Sequence, residues 1–309
     1  MSGVKTVIIK KEDDGIRLNR WFLREYPALG LGRLQKLLRT KQIKVDGKRA
    51  EASTRLQTGQ ELRLPPLDEQ KAIKKEQNIS PKDIDYIKSM VIYKDAEIIA
   101  LNKPSGLAVQ GGTNTLKHID GMLDALRFES SEKPRLVHRI DKETSGLLIL
   151  ARSRKIADLL TKAFREHNLQ KTYLAIVRGC PQKFSGEINI PLEKVGEKMC
   201  VTAGGKKAIT KYNVLDNAAK KYALVEAFPL TGRTHQIRAH LEALGTPILG
   251  DDKYFGNSRQ HLTEVTNKLY LHAYKIDLSS VLGKNKILTA PLPEHFKSAC
   301  RFLGLEIEK

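Results

Sequence analysis

The sequence predicts an α+β fold in two units, and three observations carry that reading. Apolar residues recur at strand spacing in many short runs and at helical spacing in few, so strands cluster instead of alternating with helices. The stretch Leu67 to Pro81 is polar and charged and follows Pro65-Pro66, so it separates a short N-terminal part from a long C-terminal one. The chain has 309 residues, long for one domain and comfortable for two, and it can bury a core without disulfides or metals. The expected division is a small domain over 1–66, a linker over 67–85 and a larger domain over 86–309.

In the first unit, Ile16, Leu18, Trp21, Phe22 and Leu23 fit one helix face, and Gly30 and Gly32 then break the chain. A second helix near 31–38 turns Leu34, Leu37 and Leu38 inward. Ile43-Lys44-Val45 followed by Asp46-Gly47 predicts a hairpin, because Asp-Gly tolerates the left-handed turn between two strands. A strand from Glu61 to Leu64 closes the unit.

In the second unit, 91–93, 98–101, 147–151, 173–177, 212–215 and 222–228 read as strands. Lys155 to Glu166 reads as an amphipathic helix with Ile156, Leu159, Leu160, Ala163 and Phe164 inward. Gln236 to Leu244 reads as a helix opened by the turn Thr231-Gly232-Arg233-Thr234.

Composition narrows the partner. The formal net charge is +19, more than solubility requires, which points to a polyanion. No apolar run approaches bilayer length, and residues 1–11 lack the apolar core of a signal peptide, so nucleic acid in the cytoplasm is expected and a membrane is not. Cys180, Cys200 and Cys300 are widely spaced and read as reduced thiols. His235 and His240 are five apart, off the spacing that puts two ligands on one helix face, so neither metal nor cofactor is expected. Residues 16–63 hold 12 Lys or Arg against 4 Asp or Glu. A charge run is usually a solvated face, but these cations lack carboxylates at helical spacing, which favours RNA phosphates.

The richest stretch is Leu136 to Leu150. Thr144, Ser145 and Gly146 are turn formers before an apolar strand, which holds Asp141 on a loop at the mouth of a sheet beside Arg139. Locally, Asp141 is equally well a turn former bonded to its own backbone, Tyr173 a cross-strand aromatic and Arg238 a surface arginine.

Two resemblances shift that balance. Arg17-Leu18, Leu34-Gln35-Lys36-Leu37-Leu38-Arg39, 43–48 and 59–63 make the first unit resemble the S4 RNA-binding domain, of αL type. This implies RNA contact through Arg17, Arg20, Arg33, Lys36, Arg39, Lys41 and Lys44. In the second unit, His138-Arg139-Ile140-Asp141 through Gly146, Lys171-Thr172-Tyr173 through Gly179, and Leu230 through Leu241 stand in the order of one family. Asn102-Lys103-Pro104-Ser105-Gly106, 245–251 and Leu271-His272-Ala273 support them. The chain thus resembles the RluA/RluC/RluD family of RNA pseudouridine synthases, and the S4-like unit points to members acting on large-subunit (23S) ribosomal RNA. The resemblance implies a mixed, mostly antiparallel sheet flanked by helices, and a monomer. It implies Asp141, Tyr173 and Arg238 as catalytic residues and Leu271 under the base. His138, Arg139, Arg233, His235 and Gln236 would surround the substrate, with Arg139 filling the vacated stack or holding a phosphate.

The chemistry suits those residues. Uridine becomes pseudouridine when N1–C1′ breaks and C5–C1′ forms, with no redox change or net hydrolysis. A carboxylate that adds to sugar or base, or stabilises a cationic sugar, suffices, and a nearby cation positions it. Tyr173 can stack on uracil or help remove the C5 proton. Two other readings stand beside this one: an enzyme of the same class acting on transfer RNA, and a non-catalytic RNA chaperone or ribosome-assembly factor.

Overall fold

A computed structural model of the chain describes residues 4–26, 29–67, 79–111, 115, 117–254, 265–283 and 285–307. It divides into two compact units, 1–78 and 79–309. Most of the stretch expected to be linker lies outside the described residues, but its last part does not behave as one. A helix starts at Pro81, capped by Ser80, whose hydroxyl accepts the Asp83 N–H.

The first unit runs β1 (Lys5–Ile8), α1 (Leu18–Glu25), α2 (Gly30–Arg39), β2 (Lys44–Val45), β3 (Lys48–Arg49) and β4 (Glu61–Leu64). The strands form an antiparallel sheet in the order β1-β4-β2-β3. Leu18, Trp21, Phe22, Leu34, Leu37 and Leu38 are buried together with Ile43, Leu62 and Leu64, each fully buried large side chain contributing about 1.5–3 kcal/mol. Two expectations need correction. Gly32 lies inside α2 instead of breaking the chain, because Leu34, Leu37 and Leu38 bury enough to hold the first turn, whereas Gly30 opens α2 with a left-handed backbone, φ +63°, and does mark the break. The strand β1 was not expected; alternation over only four residues is too short to register.

The second unit begins with α3 (Pro81–Ser89), β5 (Val91–Lys94), β6 (Ile98–Lys103), α4 (Ile119–Met122), β7 (Arg135–Leu136), β8 (Ser145–Ala151), α5 (Arg154–Arg165) and β9 (Gln170–Arg178). It continues through β10 (Ser185–Asn189), β11 (Leu192–Val195), β12 (Lys198–Val201), β13 (Ile209–Ala218), β14 (Tyr222–Pro229) and α6 (Gln236–Ala243). It ends with β15 (Leu271–Asp277), α7 (Ser279–Leu282), β16 (Ile287–Thr289) and α8 (Glu294–Leu303). The main sheet runs β10-β13-β14-β9-β15-β8-β6-β5, with β16 beside β15 and β7 beside β8. Every pairing in it is antiparallel except β15 with β8, so the α+β expectation holds. On α5, Ile156, Leu160 and Ala163 are buried with Ala157, whereas Leu159 is 42% exposed. Leu159 lies one position past the face that meets the sheet.

The parallel junction places the centre of the sheet. His272 lies opposite Ser145 and Ala273 opposite Gly146, so the N-terminal ends of β8 and β15 emerge side by side. They can approach so closely only because Gly146 has no side chain. A Cβ there would lie 2.8 Å from Ala273 N and closer still to its carbonyl oxygen, and φ is +108°. Gly146→Ala is therefore expected to cost at least about 2 kcal/mol, because strain and clash act together. A urea-denaturation midpoint equal to that of the unaltered chain would contradict this.

Candidate active site

Four central strands, β8, β15, β9 and β14, deliver their ends to one cavity of about 500 Å³, within the range of small-ligand sites. Asp141 enters it from the loop before β8. Tyr173 comes from β9, opposite Ala273 on one side and Ala227 on the other. Leu271 opens β15, and Arg233, His235, Gln236 and Arg238 come from the turn after β14 and the start of α6. Arg139 and His138 complete the set, so all nine residues expected at the substrate line one cavity.

The Asp141 loop is fastened from behind. Lys103 is fully buried, and its Nζ donates to the carbonyls of Pro104, Leu107 and Lys142, each at 2.9 Å. Burial pushes Lys103 down to about 7 against the pull of Glu143 and Asp141. Three donated bonds use all three ammonium hydrogens, so the geometry requires the charged form. Ser105 Oγ donates to the Glu143 carbonyl, and Gly106 N–H donates to that of Lys142. Thr144 N–H closes the loop on the Asp141 carbonyl at 3.1 Å. His138 Nε2 accepts the Ile149 N–H at 2.8 Å, and its ring stacks on Phe164. Burial, with Lys171 nearby, lowers it to about 3, so it is a neutral fastener and not a proton carrier.

The Asp141 carboxylate, 25% exposed, faces two groups at equal range. Arg238 Nη1 and His235 Nε2 each lie 3.9 Å from its Oδ2. That is an ion-pair distance and not a hydrogen bond. Arg238 is thus a cation beside Asp141, as the resemblance implies, but its hydrogen bonds go to Asp251, with Nε to Oδ2 at 2.7 Å and Nη2 to Oδ1 at 2.6 Å. Asp251 is completely buried and also accepts the N–H groups of Lys253 and Tyr254. Burial opposes the charge on Arg238, but the Asp251 bonds outweigh it and hold the guanidinium above its ordinary value.

Tyr254 joins the same group. Its ring lies under the Arg238 guanidinium at 5.2 Å. Its hydroxyl accepts the Met199 N–H at 2.8 Å and stands 3.1 Å from His235 Nδ1. Burial raises the Tyr254 phenol, so the hydroxyl keeps its proton, and Nδ1 is the acceptor it faces. Burial also lowers His235, with Asp141 pulling the other way. A neutral His235 then carries its hydrogen on Nε2, toward Asp141.

Other expected residues fare differently. Gln236 is used up structurally: its Oε1 accepts from Thr231 Oγ1 and Arg233 N–H, and its amide donates to the Ile209 carbonyl and Thr210 Oγ1. It shapes the turn and has no group left for a ligand. Leu271 is buried, as a pocket floor requires. Tyr173 is pushed upward by burial and by the Asp141 charge, so it stays a neutral phenol. In the first unit, Arg17, Arg20, Arg33, Lys36, Arg39 and Lys41 are exposed and Lys44 is half-buried. Among the described residues, none of these seven cations lies within 4 Å of a carboxylate.

Sequence reasoning missed Asp251, Tyr254 and Lys171. The run 245–251 was legible as part of a pattern, but nothing in it signals that its last aspartate grips Arg238. No described group of His, Cys, Asp and Glu is arranged to hold a metal ion. No helix among the described residues is long and apolar enough to cross a membrane.

The comparisons with known proteins agree with this geometry. The family model for RNA pseudouridylate synthase matches residues 97–243, which include Asp141, Tyr173 and Arg238. The chain is 41% identical over 296 residues to the ribosomal large subunit pseudouridine synthase C of Rickettsia bellii, covering 91% of this chain and 95% of that one. It is 34% identical over 306 residues to the protein of the same name from Escherichia coli, covering 95% of each. Among solved structures, human RNA pseudouridylate synthase domain containing 4 superposes with a TM-score of 0.63 at 27% identity, over 74% of this chain and 99% of that one. The class is thus an RNA-modifying isomerase. The chain belongs to the RNA pseudouridylate synthase family, whose members convert uridine to pseudouridine.

Proposed function

We propose that this chain isomerises uridines of large-subunit ribosomal RNA, with Asp141 as the reacting carboxylate. The observation that carries the reading is the convergence of Asp141, Tyr173, Leu271 and Arg238 on one cavity, which no second carboxylate lines among the described residues. A uridine within folded RNA reaches such a group only by swinging out of its stack, which costs a few kcal/mol and least in loops. Tyr173 then stacks on the uracil face above Leu271. Its neutral phenol suits stacking better than proton removal. Asp141 adds to the nucleotide or stabilises the sugar cation while N1–C1′ breaks. The base turns, C5 bonds to C1′, the C5 hydrogen leaves as a proton, and N1 gains one. Arg238 and His235 flank the carboxylate and orient it. Arg139, exposed at the mouth, fills the vacated stack or holds a phosphate.

The large-subunit target rests on the relatives' names and on the basic first unit, read as an S4 domain. The reading keeps the monomer and the cytoplasmic compartment expected from the sequence. The direct test is release of hydrogen from C5-tritiated uridine in large-subunit ribosomal RNA. The chain is expected to release it without added metal or cofactor; no release from any RNA would leave a binding protein and overturn the reading.

A second expectation concerns the first unit. Removing residues 1–66 is expected to weaken RNA binding and flatten its dependence on salt, since each lost phosphate contact takes roughly one unit from the slope. Binding measured between low and moderate salt checks this, and an unchanged slope would remove the first unit from the interface.

A further inference from the structure

Strand β9 turns alternate residues to the same face, so Lys171 shares the cavity with Tyr173. The proposed reaction uses Tyr173 and leaves Lys171 without a task. Lys171 is half-buried, and burial pushes its ammonium below the ordinary lysine value. Among the described residues no carboxylate lies within 4 Å of it. Its charge is felt across the cavity, where it helps to lower both His138 and His167.

Arg233 reinforces this corner. It lines the same cavity, helps to lower His167, and likewise has no described carboxylate within 4 Å. Its Nε donates to the Lys207 carbonyl at 3.1 Å, which fixes the guanidinium plane and leaves its other nitrogens free of any described partner. His167 follows α5 with a left-handed backbone, and its ring packs against Gly232, where a Cβ would stand 3.3 Å from Cε1. Two cations and an imidazole thus meet between the end of α5, the start of β9 and the 231–233 turn.

A partly buried cation without a counter-charge is unfavourable unless a ligand supplies one. Uracil is neutral, and its carbonyls offer only dipoles. The negative groups of an RNA are its phosphates. We infer that Lys171 and Arg233 form a phosphodiester subsite inside the cavity, holding a phosphate attached to the flipped uridine. The inference rests on the reading of this cavity as the uridine site. Its consequence is positional: a phosphate held there sets the ribose C1′ relative to Asp141 and helps keep the nucleotide out of its stack.

The test uses the full chain carrying Asp141→Asn, so that binding is measured without turnover, and large-subunit ribosomal RNA fragments assayed in parallel for C5 hydrogen release by the unaltered chain. Adding Lys171→Met is expected to weaken binding by about tenfold and to reduce the salt slope by roughly one. Lys171→Arg should stay within about threefold, as expected where only the charge is needed. Replacing the phosphates flanking the modified uridine with neutral methylphosphonates should weaken binding to the parent chain and weaken it clearly less with Lys171→Met, because the two changes remove parts of one contact and only Arg233 is left to hold the phosphate. Additive losses, or an unchanged slope, would overturn the subsite and assign Lys171 to the base or to the fold. Should Lys171→Met lower the thermal midpoint enough to confuse binding, Arg233→Gln at the cavity edge makes the same comparison. Absence of C5 hydrogen release from every fragment would sink the isomerase reading separately; the salt slopes, read on the same RNAs, would still decide the phosphate contact.

Discussion

Asp141→Asn is expected to lower C5 hydrogen release by at least about a thousandfold, with RNA binding held within a few fold. The amide has the shape of the carboxylate but neither its charge nor its nucleophilic oxygen, so any step that uses the carboxylate is lost. The fold has little reason to notice. Among the described residues the Asp141 side chain makes no hydrogen bond, only two 3.9 Å ion-pair approaches to Arg238 and His235, and the loop is closed by its backbone carbonyl and by Lys103 from behind. Stability should therefore stay within about 0.5 kcal/mol, as for a substitution away from packing and buried networks. Retained folding and binding with lost turnover separate a chemical role from a structural one. Turnover near that of the unaltered chain would end the assignment of Asp141.

Much of this arrangement was legible in the sequence. The strand after Gly146 and the helix opened by the 231–234 turn were readable from period and breakers, because β8 is buried along its whole length and α6 follows a glycine turn. Their shared cavity was legible only through the family pattern. No local spacing tells that Asp141, Tyr173 and Leu271, far apart in the chain, meet at one sheet centre. Arg238 does lie within ion-pair range of Asp141, but its hydrogen-bond partner could not be read for a related reason: an arginine within reach of two carboxylates must choose between them, and the choice depends on burial. Asp251 is fully buried and offers both oxygens to the fork, whereas Asp141 is partly wet and offers one oxygen at long range. Lys171 was passed over because alternation marks it only as a neighbour of Tyr173. Its lack of a counter-ion is a three-dimensional fact.

Asp251→Ala is expected to carry the largest stability penalty of the substitutions at the site, and to impair turnover by a route of its own. Removing one member of a buried ion pair leaves the other charged and unsatisfied, at about 3–5 kcal/mol. Here the N–H groups of Lys253 and Tyr254 also lose their acceptor. Asp251→Asn keeps one oxygen for them and should cost less, about 1–3 kcal/mol. The effect on chemistry follows from what Asp251 prevents. Its two bonds hold Arg238 back from Asp141, near enough to orient the carboxylate and too far to donate to it. Released, the guanidinium can close on Asp141 in a bidentate pair, and a carboxylate so bound is a poorer nucleophile. Asp251→Asn is therefore expected to reduce the rate of C5 hydrogen release by about a hundredfold at saturating RNA, with little change in KM. Adding Arg238→Met removes the orphaned charge, so the pair of substitutions should be less destabilising than their separate costs summed. Urea denaturation of the two single variants and the double variant measures that coupling. Simple additivity in stability, or an unimpaired rate in Asp251→Asn, would show that Arg238 is not held in place by Asp251.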